Sequence, residues 1–211
     1  MKHTILVPLA LLRAACIAAQ DDNDWDTSNI NSVAIVKGHI VGTDRRILFY
    51  SKLKNVADDV FFIIPKAYAE SVIKKTEYSS GLKHCQITYD TESQTGLIEI
   101  PHHENAYEAF KVFLKVLYPD WEKVIPEQTD FAGFVRFGSD YLSKVEEICG
   151  QLGTICMPQI FPTGIDKAAN IEFLFSDFED AKVVLMPRSA DPDTQLYCVV
   201  VGDLDDEDAP Q

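Results

Sequence analysis

The chain has 211 residues, 46 % of them hydrophobic, which is enough for one large domain or a domain and a half with a real core. Its formal charge of −14 would repel phosphate if spread evenly, so a nucleic-acid role requires basic side chains gathered on one surface. The five cysteines (Cys16, Cys85, Cys149, Cys156, Cys198) are odd in number and lack C-x-x-C spacing, which argues against a disulfide framework or a zinc site and fits reduced thiols inside a cell.

Residues 1–20, MKHTILVPLALLRAACIAAQ, allow two readings. One is a secretory signal, with a basic start, an apolar run and small residues. Arg13 interrupts that run, which is too short to span a membrane. The other is a strand, Lys2 to Val7, followed by a helix from about Pro8 to Gln20. Leu9, Leu12, Cys16 and Ala19 would line one face of that helix and Arg13, Ile17 and Gln20 another. These residues alone leave both readings open.

Asp21 to Asn29 reads as an acidic loop. Ile30 to Lys37 and His39 to Leu53 predict two or three antiparallel strands, with Lys37-Gly38 at a turn. Val60 to Ile64 predicts a buried strand that stops at Pro65, and Lys66 to Tyr78 a helix. Cys85 to Tyr89 and Leu97 to Ile100 predict a hairpin. Phe110 to Leu117 fits strand or helix, broken by Tyr118-Pro119-Asp120-Trp121. Phe131 to Phe137 predicts a strand, with Ser139 as N-cap of a helix through Leu152 that ends at Gly153. Thr154 to Ala169 reads as a connector. Three strands are expected after it: Ile171 to Ser176, Ala181 to Pro187, and Leu196 to Gly202. The end, from Asp203, is acidic and reads as solvated chain.

The pattern is therefore strand, helix, several strands, three times over, with helices starting near Pro8, Lys66 and Ser139: an α+β repeat architecture. No phosphate loop, G-x-G-x-x-G or G-x-S-x-G occurs. His102-His103-Glu104 follows Pro101 and reads as a polar turn, because neighbouring strand residues face opposite sides. Asp120 and Glu122 lack a base or nucleophile beside them. No enzyme, cofactor or metal site is expected.

Several segments, in order, resemble the bacterial DNA polymerase III β sliding clamp family. MKHTILVPLALL is similar to its opening strand and helix. Gly42-Thr43-Asp44-Arg45-Arg46-Ile47-Leu48 resembles its T-D-G-H-R-L strand pair, one residue shorter and without the glycine-histidine step. Phe62-Ile63-Ile64-Pro65-Lys66 is similar to the strand that opens its second inner helix. Tyr118-Pro119-Asp120-Trp121-Glu122-Lys123-Val124-Ile125-Pro126 resembles its F-P-D-Y-x-x-V-I-P segment. Gly133 to Leu152 and Asn170 to Leu204 resemble its final helix and closing strands. Where the family ends on a V-M-P-M-type sequence, Tyr197 to Gly202 lacks the methionines and proline.

The resemblance implies a DNA-clamp fold, with inner helices and outer antiparallel sheets, and favours the strand-helix reading of the N-terminus. It implies a clamp domain with two units over 1–126, a further unit or degenerate second domain over 127–204, and an acidic tail over 205–211. The implied function is that of a cytoplasmic, non-enzymatic processivity factor. It would encircle double-stranded DNA without sequence preference and tether a DNA polymerase and a clamp loader through short peptides. Candidates for the DNA-facing surface are Arg13, Lys66, Lys74, Lys75 and Lys144. The implied peptide pocket is Thr43, Arg46 and Leu48, then Pro119, Lys123 and Val124, then Val199 and Val200. Clamp rings of about twelve units would need four such chains, or three if a fourth unit is hidden in the connector. Two alternatives stay open: a secreted interaction protein with residues 1–19 as signal, and a clamp-like regulator that forms no ring.

Overall fold

A computed structural model describes residues 2–21, 29–76, 83–101, 107–111, 118–129, 131, 133, 135–165 and 167–187. The expected readings of His102-His103-Glu104, of 112–117 and of everything from 188 onward lie outside these.

β1 (Lys2–Pro8) runs straight into α1 (Leu9–Ala18), and β5 (Phe61–Pro65) straight into α2 (Lys66–Lys74). In both, a proline ends the strand at the N-cap position, where its fixed φ suits the turn into the helix. β2 (Ser32–Val36), β3 (His39–Thr43) and β4 (Ile47–Lys52) form a meander, as do β6 (His84–Asp90), β7 (Thr95–Glu99) and β8 (Tyr107–Lys111). The β2–β3 turn is Lys37-Gly38, with φ of 50° and 71°. Two left-handed residues in succession give the turn whose twist matches the hairpin.

The strand order exchanges the units. β1 pairs with β6 in the sheet β1-β6-β7-β8, and β5 pairs with β2 at the end of the other sheet. Each unit thus lends its opening strand to the sheet of the other. The second sheet then continues from β4 into a third unit, in the order β5-β2-β3-β4-β11-β10-β9. That unit comprises α3 (Ser139–Leu152), β9 (Met157–Pro162), β10 (Ala169–Leu174) and β11 (Lys182–Leu185).

Helices starting at Leu9, Lys66 and Ser139 agree with the three expected starts. Three details differ. The described residues of 131–137 form no strand. The segment 154–169 contains β9, whose Pro158 and Pro162 are compatible with a sheet edge. The helix cap is Gly138, not Ser139, whose carbonyl instead accepts the Ser143 hydroxyl at 3.1 Å.

α1 is the centre of the molecule. It packs on β3, α2 and α3, and seven of its ten residues are buried, with only Arg13 and Ile17 tilted outward among the larger ones. α1 is therefore core, and a chain lacking it would lose the helix on which three elements rest. Among the described residues no helix is long and apolar enough to cross a membrane.

The four described cysteines are free thiols. Burial pushes Cys16 and Cys85 up to about 12 from an ordinary value of 9.0. Two measurable consequences follow from that shift. Near pH 8 these thiols should alkylate far more slowly in the folded chain than in urea, since both are buried and the thiolate is the reactive form. Above about pH 9 the unfolded chain releases thiol protons that the folded chain keeps, so stability should fall as pH rises toward 12. Denaturation midpoints at pH 7 and pH 10 check this, and Cys85→Ala should flatten the difference.

Candidate functional site

Two surfaces gather the chemistry: an outer pocket where β4 meets β11, and an inner face between the helices.

The outer pocket begins at the β3–β4 turn. Thr43 Oγ1 donates to the Ile47 carbonyl at 2.8 Å and accepts the Arg45 N–H at 3.1 Å. The Asp44 carboxylate accepts the N–H groups of Arg46 and Ile47 at 3.0 and 2.9 Å. These side-chain turns hold Arg45 at φ 75° and fix the rim. The Met186 N–H donates to the Arg46 carbonyl at 2.8 Å, which docks the end of β11 on the same rim. The other wall is the segment Pro119 to Val124, whose Trp121 begins a short 3₁₀ helix (Trp121–Val124). Trp121 is buried against Tyr50 and His39, with ring centroids 5.1 and 5.2 Å away. An ion pair between Lys37 and Glu122 ties this helix to the β2–β3 turn.

The result is a cavity of about 140 Å³ lined by Thr43, Arg45, Arg46, Ile47, Leu48, Pro119, Trp121, Val124, Val184 and Met186. It lies over a small separate core of Ala34, Val41, Leu48, Ile63, Trp121 and Val184. Small apolar cavities with a few polar groups at the rim suit anchor side chains of peptides. Five expected pocket residues meet here: Thr43, Arg46, Leu48, Pro119 and Val124. Lys123 does not line the cavity; it points to solvent and pairs with Asp120 at 2.9 Å. Val199 and Val200 lie outside the described residues. A third wall is supplied by Val184 of β11 and by Met186 just beyond it. The signal was present in Val184-Leu185-Met186-Pro187, a closer match to V-M-P-M than the 197–202 segment.

The inner face is a concavity of about 740 Å³ between α1, α2 and α3. Arg13, Lys66, Lys74 and Lys144 line it, and so do four carboxylates, Asp21, Glu70, Asp140 and Glu147. The cations differ in how free they are. Lys74 is 72 % exposed and only 3.9 Å from Glu70. Arg13 donates to Thr76 Oγ1 at 3.3 Å. Lys144 is held by Asp44 at 2.8 Å, which links the inner face to the pocket rim.

Lys66 and Lys75 depart from the expectation of free, DNA-facing cations. Lys66 is buried and donates to the Ala19 carbonyl at 3.0 Å and to Asp21 at 2.7 Å. It thereby satisfies an orphan carbonyl at the C-terminal end of α1, where a cation also suits the helix dipole. Its hydrogen bond holds the Asp21 carboxyl below its usual range. Lys75 is not part of the concavity. It pairs with Glu108 at 2.8 Å and lies 5.9 Å from the centre of the Tyr107 ring.

Two meander-bearing units with exchanged opening strands, helices on one side and sheets on the other, define the DNA-clamp fold. Among solved structures the chain is similar in fold to bacterial β clamps. The DNA polymerase sliding clamp of Caulobacter crescentus matches with a TM-score of 0.65 and 14 % identity, over 90 % of this chain and 66 % of that one. The sliding clamp (DNA polymerase III subunit beta) of Pseudomonas aeruginosa, bound to griselimycin, matches at 0.63 and 13 %, over 89 % and 66 %. The DNA polymerase III β subunit of Thermotoga maritima matches at 0.62 and 14 %, over 89 % and 65 %. The chain thus spans about two thirds of the length of these clamps. No protein-family model matches it, and no curated protein matches it significantly.

Proposed function

We propose that the chain is a cytoplasmic sliding clamp: copies of it close a ring around duplex DNA and tether a polymerase and a clamp loader by short peptides. No bond chemistry is involved; the tether replaces rebinding from solution with a high effective concentration. What carries the reading is the outer pocket, where residues from three distant segments converge on a cavity sized for an apolar anchor. In this reading residues 1–126 are a two-unit clamp domain, 127–204 a further unit or degenerate second domain, and 205–211 an acidic tail. Three units per chain favour four chains per ring over three.

The balance of four cations and four carboxylates on the inner face means that phosphate attraction is weak. Retention on DNA must then come from encirclement. Protein loaded on nicked circular DNA should stay bound, and cutting the circle should release it. Replacing Arg13, Lys74 and Lys144 together by alanine should weaken retention about tenfold at low salt. It should also reduce the salt dependence by up to about 0.9 per lost phosphate contact. Lys75→Ala should leave retention unchanged, and Lys66→Ala should act on folding instead. Equal retention on linear and circular DNA would defeat the ring. The charge balance would then favour the second reading, a clamp-like regulator that does not encircle DNA.

A further inference from the structure

The third unit is half of something that this chain builds completely elsewhere. Between β1 and β8, two units close each other: each receives the opening strand of the other, and α1 lies against α2. The third unit has the same helix-then-meander order, yet among the described residues only one of its flanks is filled. On that flank β11 pairs with β4 and α3 packs on α1.

Among the described residues the other flank is open. β9 is the last strand of its sheet among the described residues, and a groove of about 340 Å³ runs between it and α3. Leu142 and Ile160, which line it, are 41 and 38 % exposed. Exposed apolar surface of this kind, continuous along a helix and a strand, marks an interface.

What covers such a flank is visible inside the same chain: each time it is another unit of the same kind. A second copy carries one. We propose that two copies join α3–β9 face to α3–β9 face about a two-fold axis, so that two half-domains make one complete domain. Pro158 and Pro162 decide the nature of the contact. An in-sheet proline keeps its nitrogen turned away from the paired strand, so both face the open edge, on the same side as Ile160. That side of β9 offers only the Ile160 N–H to a ladder, and apolar side chains must supply most of the binding.

Gly150 lies along the groove, and nothing stands within 4 Å of where its Cβ would be. A second helix can therefore approach α3 closely at that point. An antiparallel crossing there also sets the two Glu146 carboxylates on opposite sides of the axis, which avoids like-charge contact.

The proposal stands on the fold; a ring needs in addition a contact at the far end, where β8 is the last strand of its sheet among the described residues. Light scattering on the full chain separates the two ideas. If both hold, the parent has four chains and Leu142→Glu or Ile160→Glu halves the mass to two. If only the two-fold contact forms, a two-chain parent falls to one and the four-chain ring is refuted alone. A one-chain parent at micromolar concentration, or an unchanged mass in both folded variants, overturns the two-fold contact. Gly150→Cys in a Cys156→Ser, Cys198→Ser background adds a check on symmetry. A short bifunctional maleimide should link position 150 to position 150 of the second copy; if the parent associates and this link is missing, the face-to-face arrangement is wrong.

Discussion

Replacing Gly42 by valine should leave the chain without a cooperative fold. A Cβ at this position would stand 2.0 Å from the Ala15 carbonyl oxygen and 2.8 Å from its carbon, both backbone atoms of α1. Backbone cannot rotate away as a side chain can, so the helix itself would have to move off β3. α1 is packed on α2 and α3 as well, and Leu12, Ala14 and Ala15 are wholly buried. Moving it would open voids on one side while relieving the clash on the other. Overpacking of this kind costs about 1–3 kcal/mol in favourable cases and more where backbone is the obstacle. A domain of ordinary stability has only about 5–15 kcal/mol in total. The smaller change Gly42→Ala should still fold but lose several kcal/mol in urea denaturation. A Gly42→Ala midpoint equal to that of the parent would show that α1 does not lie on β3 as described.

The second large effect is expected at the outer pocket. Val124→Glu should weaken binding of a peptide selected against the parent chain by about 100-fold or more, which corresponds to about 2.7 kcal/mol. Val124 is 39 % exposed, so the chain can tolerate a charge there when no peptide is bound. With an apolar anchor seated, that carboxylate would be buried without a partner, which is the costly situation. Leu48 is a poorer probe. It is 3 % exposed and belongs to the small core with Trp121 and Val184, so Leu48→Asp would damage the fold along with the pocket. Met186→Glu, on the β11 wall, should repeat the Val124 result. Parent-like peptide affinity in both variants, with near-ultraviolet dichroism unchanged, would sink the pocket assignment.

Much of the architecture could be read from the chain because it is local. The prolines at 8 and 65 and the glycine at 138 stand immediately before the three helices. Lys37-Gly38 supplies the two left-handed residues of its hairpin. Thr43, Asp44 and Arg46 build their turn from hydrogen bonds that span two to four residues, so a short motif was enough to identify one wall of the pocket. The closing wall was harder to see. β11 contributes to it through the pairing of Leu48 with Val184, 136 residues apart, which no local motif announces. The run 131–137 reads as a strand by residue type, yet its described residues form none, since residue type alone supplies no pairing partner.

The candidate DNA-facing cations show most clearly where the sequence stops. Residue type and helical spacing put Arg13, Lys66, Lys74, Lys75 and Lys144 on three helices, and that much follows from local chemistry. Whether each is free depends on partners far away in sequence: Thr76 for Arg13, Asp21 for Lys66, Glu108 for Lys75 and Asp44 for Lys144, at separations of 63, 45, 33 and 100 residues. An ion pair forms where the folded chain brings two charges within reach. The strand periods, the helix starts and the pocket turn were therefore determined by sequence, through steric and hydrogen-bonding rules acting over a few residues. The third pocket wall, the burial of Lys66 and the charge balance of the inner face were decided only by tertiary packing, which alone sets the distances between residues remote in the chain.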